Sequence, residues 1–266
     1  MTSEVIHILA SEKELERVPF IVLPNIVADL PVYLIWGEDP TRATKILEAL
    51  QSFATRLIFN AAFADHIQEF SQRMLGFLST VKVEVMDISW GSLSSYRNLL
   101  AEVFNSQEKI EFLRSPRKII IRYSGNGAKD NLAAIYLQAF LASSLGWKLA
   151  AEEIHHEHQK ALCYTYQNQD INVILEEDTV TIASKGSLTQ FEVTGKDGTS
   201  YSLYSSKNGS KVVLHISSLE SCELPCTFAL PDLNRGLNFL KEIFYQTPSK
   251  SYNQALEIIA KVNWEK

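Results

Sequence analysis

Residues 31–37 read Pro31-Val32-Tyr33-Leu34-Ile35-Trp36-Gly37, a continuous apolar run closed by a proline and a glycine. An apolar run without alternation suits a strand buried on both faces, as parallel sheets require. The next segment changes period: Ala43, Ile46, Leu47, Leu50 and Phe53 share one helical face. The same pair of patterns then recurs. Arg56 to Asn60 and Val83 to Ile88 read as strands. Between them Phe63, Ile67, Phe70, Met74 and Phe77 form a helical stripe. Leu93, Tyr96, Leu100 and Val103 form another, before a fourth strand at Lys118 to Tyr123. Asn131 to Leu145 is apolar nearly all round, the pattern of a well-covered helix. Strands alternating with helices predict an α/β domain with a largely parallel sheet over residues 1–150.

After about residue 150 the rhythm changes. The polar stretch AEEIHHEHQK reads as a helix end or a linker. Leu162 to Tyr166, Ile171 to Leu175 and Val180 to Ala183 are strand-like, without helical spacers. Asp197-Gly198 and Asn208-Gly209 each separate two alternating runs, a hairpin signal because type I′ turns need positive φ. Leu233, Leu237, Leu240 and Phe244 suggest one closing helix, and Tyr252, Leu256, Ile259 and Val262 a second. Residues 151–266 are therefore expected to be an α+β part, an antiparallel β-meander with two closing helices.

Composition narrows the function. Of 266 residues 46% are hydrophobic and 21% charged, and the net charge is −6, so a globular core is expected and a polyanionic partner is not. No basic stripe interleaved with aromatics is present, which argues against nucleic acid. No run approaches the ~18 apolar residues of a membrane span. Glu4 and the following SEKELER do not suit a secretory leader. Three cysteines suit a reducing compartment, and the reading is cytoplasmic.

Candidate chemistry is sparse, and no catalytic constellation, metal set or cofactor motif is expected. Glu152, Glu153, His155, His156, Glu157 and His158 cluster, but not as HExxH, and a solvated segment accounts for them. Gly125-Asn126-Gly127 follows a strand and precedes a helix, where backbone N–H groups can hold an anion; a plain turn is the simpler reading. Arg97 borders its helix's buried stripe and needs a paired anion, internal or a ligand's phosphate. Cys222 and Cys226 form C-x3-C, either two unlinked thiols or a regulatory dithiol. Trp36, Trp90, Trp147 and Trp264 sit at element ends, as packing or as interface residues.

Three stretches together resemble a known family. VPFIVLPNIVADLPVYLIWGEDP, RLIFNAAFAD and DISWGSLSSYRNLLAEVF, in this order, resemble the glucose-6-phosphate dehydrogenase assembly protein family (OpcA). Trp90, Tyr96 and Arg97 match its W-x5-[WY]-R element, with Tyr96 where some members have tryptophan. FLASSLGWKL, with Gly146 and Trp147, is similar to its L-G-W helix end, and SYNQALEIIAKV to its closing helix.

The resemblance implies a non-enzymatic factor that binds glucose-6-phosphate dehydrogenase of the oxidative pentose phosphate pathway and favours its active oligomer. It makes Trp36, Trp90, Tyr96, Arg97 and Trp147 partner-binding candidates, beside the edge of the C-terminal meander, and Cys222 and Cys226 redox candidates. The alternative is a sugar-phosphate-binding protein or enzyme, holding phosphate with Arg97 and the Gly125–Gly127 loop.

Overall fold

The computed structural model describes residues 12–27, 29–42, 45–80, 83–125, 130–156, 159–181, 183–207, 209–230, 244 and 250–264. The run around Leu34 forms β1 (Tyr33–Ile35), which pairs in parallel with β2 (Arg56–Phe59), and β2 with β3 (Glu84–Asp87). This three-stranded sheet has the order β1-β2-β3. β2 is buried throughout. β1 is an edge strand, and Tyr33 and Ile35 are exposed. That corrects the expectation of burial on both faces: an apolar run reports hydrophobicity, not the presence of a second neighbour.

Short helix α1 (Val18–Val22) precedes β1, and α2 (Lys45–Gln51) and α3 (Ile67–Thr80) make the crossovers. Phe70, Met74 and Phe77 of α3 face inward as their spacing requires. The stripe after β3 is two helices, α4 (Ile88–Ser92) and α5 (Ser94–Val103), meeting at Leu93. A further helix without a strong apolar stripe, α6 (Gln107–Arg114), starts where Ser106 Oγ accepts from the Lys109 N–H.

β4 (Lys118–Ser124) corrects the sequence reading more deeply. It does not extend the parallel sheet. It lies inside a second sheet with β5 (Lys148–His156), β6 (Gln159–Tyr166), β7 (Gln169–Asp178), β8 (Leu188–Thr194), β9 (Ser200–Ser205), β10 (Lys211–Ser217) and β11 (Cys226–Ala229). Their order is β11-β10-β9-β8-β4-β7-β6-β5. β4 pairs in parallel with β7 (Ile120 opposite Ile174) and antiparallel with β8 (Ile121 opposite Phe191). A central strand of a mixed sheet is as apolar as one in a parallel sheet, so composition alone does not name its neighbours.

β5 occupies the polar stretch expected to be helix or linker, and its ladder to β6 makes it an edge strand. On a strand Glu152 and His156 are not helical neighbours, and no three-residue metal cluster forms among the described residues. No strand forms among the described residues of 180–183 either. Asp178 Oδ1 accepts from the Val180 and Thr181 N–H groups at 3.0 and 2.9 Å and turns the chain.

Both expected hairpins form, with loops longer than two residues. Between β8 and β9 the Gly195 N–H donates to the Thr199 carbonyl, and Gly198 takes φ +82°. Between β9 and β10 Gly209 takes φ +68°.

Helix α7 (Leu132–Leu145) ends in left-handed Gly146 and lies against the large sheet. The closing helix α8 (Lys250–Ile259) packs on α7 and α3. Tyr252, Leu256, Ile259 and Val262 are buried, as the sequence pattern requires. One hydrophobic core runs continuously from β2 and α3 through α7 to the large sheet. The other expected closing helix, through Leu233, Leu237 and Leu240, lies outside the described residues.

Candidate functional site

A parallel strand delivers its following loop to the C-terminal end of the sheet, where open α/β folds place ligands. Each parallel strand here is followed by an aspartate there: Asp39 after β1, Asp65 after β2 and Asp87 at the end of β3.

Asp39 is buried and works as a clasp. Oδ1 accepts from the Thr41 N–H at 2.8 Å and the Thr41 hydroxyl at 2.7 Å, while Oδ2 accepts from the Asp65 N–H at 2.9 Å. The loops after β1 and β2 are thereby tied together. Arg42 adds an exposed pair to Asp65 at 2.5 Å.

Asp87 lies deeper. Oδ1 accepts from the Ala61 N–H at 3.1 Å and the Ser89 N–H at 2.9 Å, capping α4. Oδ2 accepts the Tyr136 hydroxyl of α7, and Tyr252 of α8 reaches the same cluster. Burial pushes the Asp87 carboxyl up to about 6, against the pull of these donors. Burial also raises the Tyr136 and Tyr252 hydroxyls well above their ordinary range. The cluster joins four elements and keeps its donors and acceptors for itself.

A cavity of ≈330 Å³ opens beside these loops, lined by Ala61 and Ala64 to Ile67, by Asn131, Leu132 and Ile135 of α7, and by Trp264. A second cavity, of ≈460 Å³ between α5, α6 and α7, is apolar and carries no ionisable side chain.

The residues singled out in the sequence fall in three places. Trp90, Tyr96, Arg97 and Trp147 are buried, and Trp36 is half-buried against the core. Arg97 stacks 4.0 Å from the Trp90 ring centroid and donates to the Trp90 carbonyl at 2.6 Å. Trp90 packs on Tyr252 at 5.3 Å and Trp147 on Tyr164 at 5.8 Å between ring centroids. Trp90 holds helices to one another and Trp147 packs on a strand of the large sheet; they do not form a surface patch.

Gly125 is pressed against Asp130: a Cβ there would stand 2.3 Å from the Asp130 Cβ. A carboxylate in that position disfavours an anion. Asn126 and Gly127 lie outside the described residues. Cys222 and Cys226 are both exposed thiols, beside and on edge strand β11. The Asp39–Asp65 clasp went unread because it joins residues 26 apart through a backbone N–H, which no local motif encodes.

Comparison with known proteins adds two kinds of likeness. Residues 1–75 match the glucose-6-phosphate dehydrogenase subunit N-terminal domain family, and residues 83–256 the corresponding C-terminal domain family. A Nostoc punctiforme protein named for the OxPP cycle, OpcA, is 25% identical over 146 residues, 54% of this chain and 30% of that protein. The chain thus aligns with less than a third of that relative's length.

Solved structures share the fold. The NADP-bound 3-ketoreductase KijD10 of Actinomadura kijaniata has a TM-score of 0.59 at 8% identity, covering 96% of this chain and 81% of that one. A super-repressor mutant of Gal80p from Saccharomyces cerevisiae has 0.58 at 9%, covering 93% and 79%. UDP-N-acetylglucosamine 3-dehydrogenase GnnA of Acidithiobacillus ferrooxidans has 0.52 at 10%, covering 91% and 80%.

A dinucleotide of the kind held by KijD10 needs a strand–turn–helix whose glycines admit the pyrophosphate to backbone N–H groups. Among the described residues no such turn appears. Glu38 and Asp39 follow Gly37 after β1, Asp65 follows β2 and Asp87 closes β3.

Proposed function

The chain belongs to the glucose-6-phosphate dehydrogenase assembly family, and from that membership we propose that it performs no reaction itself but binds this dehydrogenase and favours its active assembly. The observation that carries the reading is the succession of both family domains along one chain, residues 1–75 and 83–256. The crevice chemistry agrees with it. Asp39 and Asp87 spend their oxygens on backbone and tyrosine donors, a structural use of groups that an acid or base would hold ready for substrate.

Activation by a bound protein is linkage. A factor with higher affinity for the active dehydrogenase shifts the population toward it, by no more than the difference in the two affinities. Such an interface buries ~1,200–2,000 Å². Buried Trp90, Tyr96, Arg97 and Trp147 cannot supply that area directly. Exposed apolar side chains of edge strand β1 and of the segments preceding β1 and β2 can contribute to it: Phe20, Leu30, Tyr33, Ile35 and Phe53. We assign the dehydrogenase contact to this edge, with the β11 edge as the competing surface. The proposed setting is the cytoplasm; no helix among the described residues is long and apolar enough to cross a membrane.

Co-elution with the dehydrogenase of the same organism at micromolar concentration, together with altered dependence of its rate on glucose 6-phosphate, tests the reading. Separate elution and superimposable kinetics would reject it.

A further inference from the structure

We propose that the cavity between the β2–α3 connection and the start of α7 binds a small neutral polyol, a monosaccharide-sized ring, against Trp264. This goes beyond the dehydrogenase-partner reading and does not depend on it.

The cavity has the size of a small-ligand site, ≈330 Å³. Ala61, Ala64, Leu132 and Ile135 give its lining apolar surface, Asp65, His66 and Asn131 add polar groups, and Trp264 adds an aromatic side chain. A sugar ring has this same division, with C–H faces that pack on an indole and hydroxyls that both donate and accept. Asn131 supplies an acceptor and a donor, and Asp65 and His66 line the same cavity.

The aromatic side chain is fixed in place. The Trp264 indole N–H donates to the Ile259 carbonyl at 3.0 Å, and Lys160 Nζ stands 5.0 Å from its ring centroid. The neighbouring Asn263 N–H donates to the Glu152 carboxylate at 3.1 Å. The Asp39 clasp holds the Asp65 part of the lining through the Asp65 N–H. Both parts of the lining are thus set before a ligand arrives, which lowers the entropic cost of binding.

Charge selects a neutral ligand. Asp65 pairs with Arg42, and among the described residues no lysine or arginine lines the cavity. A phosphate there would lose its water without gaining a cation from the described lining.

Titration of the intact protein with underivatised D-glucose, D-galactose and D-xylose, followed by 15N-edited NMR of the tryptophan indole signals, tests this. The indole signal lost in Trp264→Phe identifies Trp264. At least one sugar should shift that signal saturably, with Kd of about 1–10 mM. Asn131→Ala should weaken binding at least about fivefold. Its melting temperature should stay unchanged, because the Asn131 side chain makes no cap hydrogen bond. Three results would overturn the proposal: no saturable shift with any sugar at about 50 mM, an unaltered affinity in Asn131→Ala, or glucose 6-phosphate binding about tenfold tighter than glucose. Binding of the dehydrogenase by Asn131→Ala, measured in parallel, reports on the partner reading separately.

Discussion

The Arg97 guanidinium carbon stands 4.0 Å from the centroid of the Trp90 ring, and its Nη1 donates to the carbonyl of that same tryptophan at 2.6 Å. Phe140 of α7 lies on the cation as well, 5.8 Å away. A buried arginine is thus spent on joining α4, α5 and α7.

Arg97→Ala is therefore expected to destabilise the fold by about 2–4 kcal/mol, combining a desolvated cation–π contact with a charged hydrogen bond. Arg97→Lys should lose much of the same, since an ammonium lacks the planar stack. Urea midpoints measure both. A midpoint unmoved in Arg97→Ala would contradict the assignment.

Asp87 should make stability depend on pH near neutrality. Burial raises its carboxyl in the folded state to about 6, above its ordinary 3.8. The folded state therefore takes up a proton before the unfolded chain does, and stability should rise as pH falls from about 7 through 6. The gain approaches its limit below pH 4 and is of the order of 3 kcal/mol for a shift of this size. Asp178 and Asp197, held low by hydrogen bonds, act oppositely but in a window below pH 4. In Asp87→Asn the amide oxygen keeps the Ala61 and Ser89 N–H bonds, and the rise between pH 7 and 5 should vanish. Persistence of that rise in the variant would assign it to another group.

Ile35 is more than half exposed on the free edge of β1. Ile35→Lys should abolish dehydrogenase binding while changing stability by less than about 0.5 kcal/mol, because a lysine on an edge strand blocks apolar docking. Analytical ultracentrifugation of the mixture checks this. An intact complex in Ile35→Lys, with loss in Leu224→Lys, would move the interface to the β11 side.

Much of this architecture was legible in local pattern. Apolar runs and helical stripes placed β1, β2, β3, α3, α7 and the Tyr252–Ile259 face of α8, and Asp197-Gly198 and Asn208-Gly209 marked both hairpins. Pairing was not legible. Ile119–Ile121 read as a strand, but nothing local says that β4 joins β7 and β8 instead of β3. The site suffered in the same way. Trp90 and Arg97 drew notice by residue type, yet type does not report burial. The Asp39–Asp65 clasp and the placement of Trp264 depend on contacts between distant segments.

Cys222 and Cys226 are exposed, whereas Cys163 is half-buried in β6. Alkylation of the native protein should modify the first two well before Cys163, by mass spectrometry of timed digests. If the pair also regulates binding, oxidation should change dehydrogenase affinity and Cys222→Ser should remove the response. An undiminished response in that variant would exclude Cys222.

The most direct test mixes this protein with its organism's glucose-6-phosphate dehydrogenase and follows NADPH formation against glucose 6-phosphate concentration while light scattering reports the mass of the species in solution. A heavier complex with greater activity at low substrate, and no NADPH formed by this protein alone, is the expected result. Turnover by this protein alone, or a dehydrogenase whose mass and rate ignore its presence, would contradict the account.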